Sequence, residues 1–394
     1  MADRLFTPRF LIMCAYTFTV FVSVFQLLPT APYRILELGG STTSAGLFLG
    51  CLTYASASSA PFTGRIGDRI GQRHVLMGVS VILGLCTLSY AFISDYRVML
   101  AVVVVHGLFW SALLAASGAY MTSTIPASRR AEGLGYWGMA SVSAIAVAPA
   151  AGFWVYRHGW TVFCADLVLL NLLMATIAWR LPDDRLAHAH DGPLPAGDSA
   201  IRPGTLIEGR VLVLSVGMGL VSFGYGGLTS FSALFADDLH VSPRSLFLTV
   251  MALAILAGRL VLGRRLDAVG HRRVVLPALV VPAFGLALVA WARSEASFLA
   301  AAALFGAGFG LLYPAFAAYV MGHIPPRRRG AAFGAMIAAF DLGIGTGSSI
   351  LGWIISAHGF RAAFAAAAGL AVLSAPYFLV AERRLGFLSV VRTP

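Results

Sequence analysis

Apolar runs of membrane-spanning length recur along this 394-residue chain, and nothing else in the sequence restricts its fold so strongly. A helix needs about 20 apolar residues to cross the hydrocarbon core of a bilayer. By that rule spans are expected at roughly 9–31, 43–63, 74–93, 98–121, 132–155 and 162–180, and again at roughly 211–236, 244–263, 274–292, 297–321, 330–355 and 361–380. Helix is the expected state because lipid offers no partner to a free peptide group. Only 11% of residues are charged, against about 25% in soluble domains. The class that follows is an all-α integral membrane protein with twelve spans.

Between the sixth and seventh runs lies a polar stretch containing Pro182, Pro193, Pro195 and Pro203. It reads as a solvent-exposed linker over 181–210, separating a six-helix bundle at 1–180 from a second at 211–394 that ends in a short tail. With the N-terminus inside, twenty-one of the 28 basic residues, all arginine, fall in the segments on that side. Six fall outside, and Arg259 stays within a span. The positive-inside rule therefore places both termini in the cytoplasm. The same spread argues against a nucleic-acid-binding face despite the net charge of +11. Cys14, Cys51, Cys86 and Cys164 sit singly in apolar runs, with no spacing suited to a metal or a disulfide framework. The run to Leu28 is too long for a cleaved leader and reads as the first span.

The two halves repeat each other. Gly64, Asp68, Gly71 and Arg73 recur as Gly263, Asp267, Gly270 and Arg272, each 199 positions later. Pro126 and Pro325, Arg129 and Arg328, and Gly135 and Gly334 share that offset. His158 and Gly159 recur as His358 and Gly359 at an offset of 200. Several matches at nearly one offset indicate a duplicated half, a pattern of transporters with parallel repeats. The glycines suit a tight turn between antiparallel helices, and an aspartate there can meet a helix N-terminus and latch one side of the protein. Arg69 extends that basic turn.

The segment from Gly64 to His74 resembles the loop signature between the second and third spans of the major facilitator superfamily. The resemblance covers essentially the whole chain and implies two pseudo-symmetric six-helix bundles, a central cavity and alternating access. The segments from Glu132 to Tyr136 and from Phe340 to Gly347 are similar to those of bacterial sugar-efflux, drug-efflux and opine-metallophore permeases. Pro149 and Gly152 match the fifth-span element of the family's antiporters, with Ala148 where that element begins with glycine. Val103 stands where proton-coupled members often carry an arginine, four residues before Gly107. The resemblance implies proton-driven export of a small organic molecule across the bacterial inner membrane by a monomer, with no cofactor. The alternatives are an uptake symporter and an uncoupled facilitator. A membrane enzyme is disfavoured, because no nucleophile elbow, phosphate loop or metal-ligand cluster is present.

An ionisable side chain within the membrane costs about 2.5–3.5 kcal/mol or more, so each invites a functional reading. Asp341, midway along the eleventh span, is the first candidate for proton coupling; His106 and Arg259 follow. Arg259 could pair with Asp341 or a substrate carboxylate, or reach back to the cytoplasmic face. Asp166 reads as interfacial. The family lines its cavity with spans one, four, seven and ten, which makes Tyr16, Gln26, Trp110, Tyr225, Phe231, Tyr313 and Tyr319 substrate-contact candidates. The absence of a charge cluster among them favours neutral, zwitterionic or amphipathic cargo.

Overall fold

A computed structural model describes residues 4–183, 208–269, 271–325, 328–385 and 387. Among them the regular structure is helical, with no strand. The helices are α1 (Pro8–Glu37), α2 (Thr42–Ile70), α3 (Gln72–Tyr90), α4 (Tyr96–Thr124), α5 (Arg130–Tyr156), α6 (Trp160–Trp179), α7 (Gly209–Asp238), α8 (Leu246–Val269), α9 (His271–Trp291), α10 (Glu295–His323), α11 (Arg329–Val372) and α12 (Ser374–Arg384). Much of the predicted linker and the end of the tail lie outside the described residues.

Local chemistry sets the boundaries. Asp95 caps α4 by accepting from the Arg97 amide at 2.8 Å, and Ser294 with Ser297 forms a reciprocal capping box at the start of α10. Pro126 and Pro325 follow the ends of α4 and α10, where a residue without an amide proton stops a helix. The element read as a loop from Gly64 is helical to Ile70, and the turn is the single residue Gly71, at φ 86°. Glycine reaches that left-handed region without a Cβ clash. The repeat recurs in the backbone itself: Gly159 and Gly359 both have positive φ, at 111° and 80°.

Nine helices are long and apolar enough, by length and composition, to cross a membrane among the described residues. Three physical features separate this number from the twelve expected. Serines, threonines and the charged end of α2 dilute its apolar character; the apolar part of α8 is shorter, Leu246–Val261. The last two expected spans run together through α11 and α12, broken within α11 only by the non-helical Gly359. The class stands as a helical membrane protein, while the count of twelve is not established by these helices.

The chain packs as two compact units: Met1–Thr30 with Ala55–Ile201, and Ala31–Tyr54 with Arg202–Pro394. In the first, α3 packs against α4 and α6, around a core that includes Met13, Tyr16, Leu76, Leu83, Met121 and Met174. In the second, α7 lies along α11 and α9 along α10. Both units leave large apolar side chains outward, among them Phe92 at 81% and Trp291 at 77% exposure. Such surfaces would aggregate in water but are the natural face toward acyl chains.

Where the surroundings are lipid, burying a leucine gains little, so helices associate through close backbone approach and polar contacts. The α7–α11 seam follows that rule. A Cβ at Gly347 would fall 1.9 Å from the Phe223 carbonyl oxygen, and one at Gly343 would fall 2.4 Å from that of Gly219. Ser230 and Ser348 bridge the same seam at 2.7 Å, and the Ser348 hydroxyl also donates to the Gly46 carbonyl at 2.8 Å. Phe231, a substrate-contact candidate by sequence, is fully buried where Gly46 and Gly352 approach its ring edge. It fills that packing.

Candidate transport site

The second unit gathers the densest set of sequence-predicted site residues. Tyr225 on α7 stacks on Phe309 of α10 with centroids 4.4 Å apart, and Phe305 lies 5.2 Å from Phe309. The row continues from Phe309 to Phe340 of α11 at 6.0 Å, and then edge-to-face to Tyr313 at 5.6 Å. Phe333 closes it, edge-on to Tyr313 at 6.2 Å. Each contact is in the range where ring quadrupoles favour offset or T-shaped geometry. Helical spacing explains the row: Phe305, Phe309 and Tyr313 recur every fourth residue along one face of α10. Pro314 lies within α10, beside the end of this row.

A charge stands near either end. Arg259 of α8, half-buried, donates from Nε to the Gly310 carbonyl at 3.1 Å and lies within electrostatic reach of the Tyr225 hydroxyl. Asp341 of α11 is also half-buried and lies within reach of Tyr313. The Asp341 carboxyl has no hydrogen bond or ion pair among the described residues. A carboxyl within a membrane span and without a protein partner is costly, and it marks a place where something else binds or where a proton resides. Tyr225, Phe305 and Phe309 cover one another's faces, whereas Tyr313, Phe340 and Phe333, at the Asp341 end, are partly open.

The first unit uses its candidates differently. The Tyr16 hydroxyl is committed to α3, 3.0 Å from Ser80 Oγ and 3.3 Å from the Leu76 carbonyl, so this side chain braces α1. His106 is buried against Tyr90, its Nδ1 3.4 Å from the tyrosine hydroxyl and the two rings stacked. Trp160 donates to the Tyr90 carbonyl at 2.8 Å, which fixes that tyrosine in turn. Trp110 meets Phe21 edge-on at 6.0 Å, and Phe21 stacks on Phe25. Gln26 is 3% exposed, with Oε1 unpartnered. It faces Gly152, where a Cβ would come 3.0 Å from the Gln26 Cα, and its side chain lies near that of Asp166. Pro149 lies buried one turn earlier in α5. Asp166, read from sequence as interfacial, thus joins a polar seam on α1 and α6, in which Asn171 also reaches Ser23 Oγ at 3.3 Å.

The repeated basic motif is anchored at its arginines. Arg272 grips Glu382 with two bonds, 2.8 Å from Nε and 3.0 Å from Nη2. Tyr319 donates to the same carboxylate at 2.5 Å. Its hydroxyl therefore holds α10 to α12. In the first unit Arg73 donates to the Trp179 carbonyl at 2.5 Å, and Tyr120 donates to the Pro182 carbonyl at 3.1 Å. Arg69 is exposed. The side chains of Asp68 and Asp267, the surroundings of Gly64 and Gly263, and Gly270 lie outside what the structure describes.

Glu382 is the residue that reading the sequence missed. It sits near the end of the last apolar run and resembles an ordinary polar tail. The signal was available in the repeat, because Tyr120 and Tyr319, like Asp183 and Glu382, stand 199 positions apart.

Comparison with known proteins places the chain. The family model described as Major Facilitator Superfamily matches residues 10–265 and 214–387. An uncharacterized MFS-type transporter of Burkholderia pseudomallei is 26% identical over 385 residues, covering 94% of this chain and 92% of that protein. Another from Pseudomonas aeruginosa is 29% identical over 360 residues, covering 89% and 87%. Among solved structures, the nucleoside transporter NupG superposes with a TM-score of 0.77 at 14% identity, covering 96% of this chain and 100% of that one. The human organic anion transporter MFSD10 does so with a TM-score of 0.68 at 18% identity, covering 94% and 100%. With the family model spanning both halves and its relatives matching end to end, this chain belongs to the major facilitator superfamily, a multi-pass membrane transporter of small molecules.

Proposed function

We propose that this chain exports a small organic molecule in exchange for protons by alternating access, with Asp341 carrying the proton. The observation that supports this reading is the half-buried, unpartnered Asp341 carboxyl beside the aromatic row of Tyr225, Phe309, Phe340 and Tyr313. A carboxyl there can exchange a proton when substrate enters or leaves, because each changes its surroundings. Arg259, at the other end of the row, keeps its Nε bond to the Gly310 carbonyl and can offer a further N–H to a polar group of the cargo. His106, engaged with Tyr90, steadies α3 against α4. The working unit is a monomer in a bacterial inner membrane with both termini cytoplasmic, as the arginine distribution favours.

The test is proton flux in proteoliposomes holding a trapped pH dye, with sugars, nucleosides, amphipathic drugs and metallophore-like amino acids offered in turn. Substrate-evoked proton movement opposite to the cargo, lost in Asp341→Asn, is the expected result. Co-directional movement would turn the reading into symport. Cargo movement that ignores the gradient and survives Asp341→Asn would overturn it in favour of a facilitator.

A further inference from the structure

The first unit carries a basic groove that the transport reading does not use. It opens where α1 begins and α4 and α6 end, has a volume of about 580 Å³, and is lined by Thr7, Arg9, Ser123, Thr124, Arg180 and Pro182 among others. That volume is within the roughly 300–1,000 Å³ typical of ligand sites. Arg9 and Arg180 are both exposed, and neither side chain has a hydrogen bond or ion pair among the described residues. Asp183 follows close by in sequence but does not line the groove.

The walls are fixed rather than loose. The Thr7 hydroxyl accepts from the Phe10 amide at 3.3 Å and caps α1, so the positive end of that helix points at the groove. The Tyr120–Pro182 and Arg73–Trp179 bonds hold the chain as it leaves α6. The hydroxyls of Ser123 and Thr124 both donate to the Tyr120 carbonyl. They have no proton left to offer; the Thr7 hydroxyl, an acceptor in its cap, keeps one, and the charge falls to the two guanidiniums. Two arginine forks over one concavity are suited to a phosphate oxyanion.

The neighbouring surface indicates which phosphate. Leu169, Leu172, Leu173, Thr176 and Arg180 recur at three- and four-residue spacing along α6, so Arg180 ends a stripe of outward-facing apolar side chains. Leu169 is 65% exposed on that stripe. Trp179, 64% exposed, stands at the level where indole rings settle between acyl chains and headgroups. We propose that this groove binds the phosphate of an anionic phospholipid, its headgroup between Arg9 and Arg180 and its acyl chains along the Leu169–Leu173 face of α6.

The test is native mass spectrometry of the full-length protein released from detergent, with phosphatidylglycerol, phosphatidylcholine or inorganic phosphate added separately. Phosphatidylglycerol should remain bound to the wild type, and R9Q/R180Q should hold it roughly thirtyfold more weakly, at about a fivefold loss per arginine. R97Q/R157Q, altered at other exposed helix ends, should match the wild type. If R9Q/R180Q is too unstable to purify, R180K takes its place; it keeps the charge, loses the fork and should show a partial loss. Displacement of the lipid by millimolar inorganic phosphate alone would assign the groove to free phosphate and sink the lipid assignment. Equal retention by R9Q/R180Q and wild type, or equal loss in R97Q/R157Q, would overturn the site altogether.

Discussion

The same three positions of the repeat end in different surroundings in the two halves. In the second, Arg272, Tyr319 and Glu382 converge on one carboxylate that is fully buried, ringed by Phe378 and Phe387 beside Tyr319. In the first, Arg73 and Tyr120 reach the backbone carbonyls of Trp179 and Pro182, and Asp183, the counterpart of Glu382, is only half-buried. Duplication preserved the chemistry of the residues, and the wrapping of the chain decided its worth. A carboxylate sealed from solvent depends on its partners, whereas a carbonyl at an exposed helix end can turn to water.

The contrast can be broken at its strongest point first. Arg272→Ala leaves a sealed carboxylate with Tyr319 as its remaining recorded donor, and should cost about 3 kcal/mol, the lower end for a broken buried pair. Because Arg272 is 43% exposed on its side chain, Glu382→Gln should cost less, about 1–2 kcal/mol, since the freed guanidinium regains water. Thermal unfolding in detergent measures both; equal losses would show that Glu382 is not sealed in solution. Arg73→Ala comes next, with an expected loss of about 1 kcal/mol, because Arg73 is only half-buried and water can replace its bond to the Trp179 carbonyl. A loss as large as that of Arg272→Ala would abolish the distinction between the halves. The smallest effect separates the tyrosines: Tyr319→Phe should cost about 1.5 kcal/mol through its charged acceptor and Tyr120→Phe about 0.5–1 kcal/mol through its neutral one. A reversed order in the same melts would put the weight on the first half.

Much of this architecture was legible in the sequence because its causes are local. Apolar run length fixes where helices cross, and the glycine pairs mark turns that only glycine makes without strain. What escaped has one physical origin: a sequence position gives an element but not what stands opposite it. Tyr16 looked like a cavity residue because α1 belongs to a cavity-lining set, yet its hydroxyl is committed to Ser80. Asp166 looked interfacial by depth alone, and depth said nothing of Gln26, which lies near it on another helix. Asp341 was conspicuous as a charge in an apolar run, while the row of rings beside it required three helices to be placed together.

The glycine seam between α7 and α11 has a mechanical consequence. Gly343 and Gly347 let α11 lie against the backbone of α7, and the Leu351 side chain of α11 seats in the notch at Gly227 of α7. A contact of that kind resists being pulled apart, because the Ser230–Ser348 bridge and close dispersion hold it. With Leu351 as a ridge in the Gly227 notch it also resists displacement along the axis, so the two helices are held as one piece. Asp341 and Tyr225 therefore ride on one stiff pair of helices, and a displacement of either would carry the other with it.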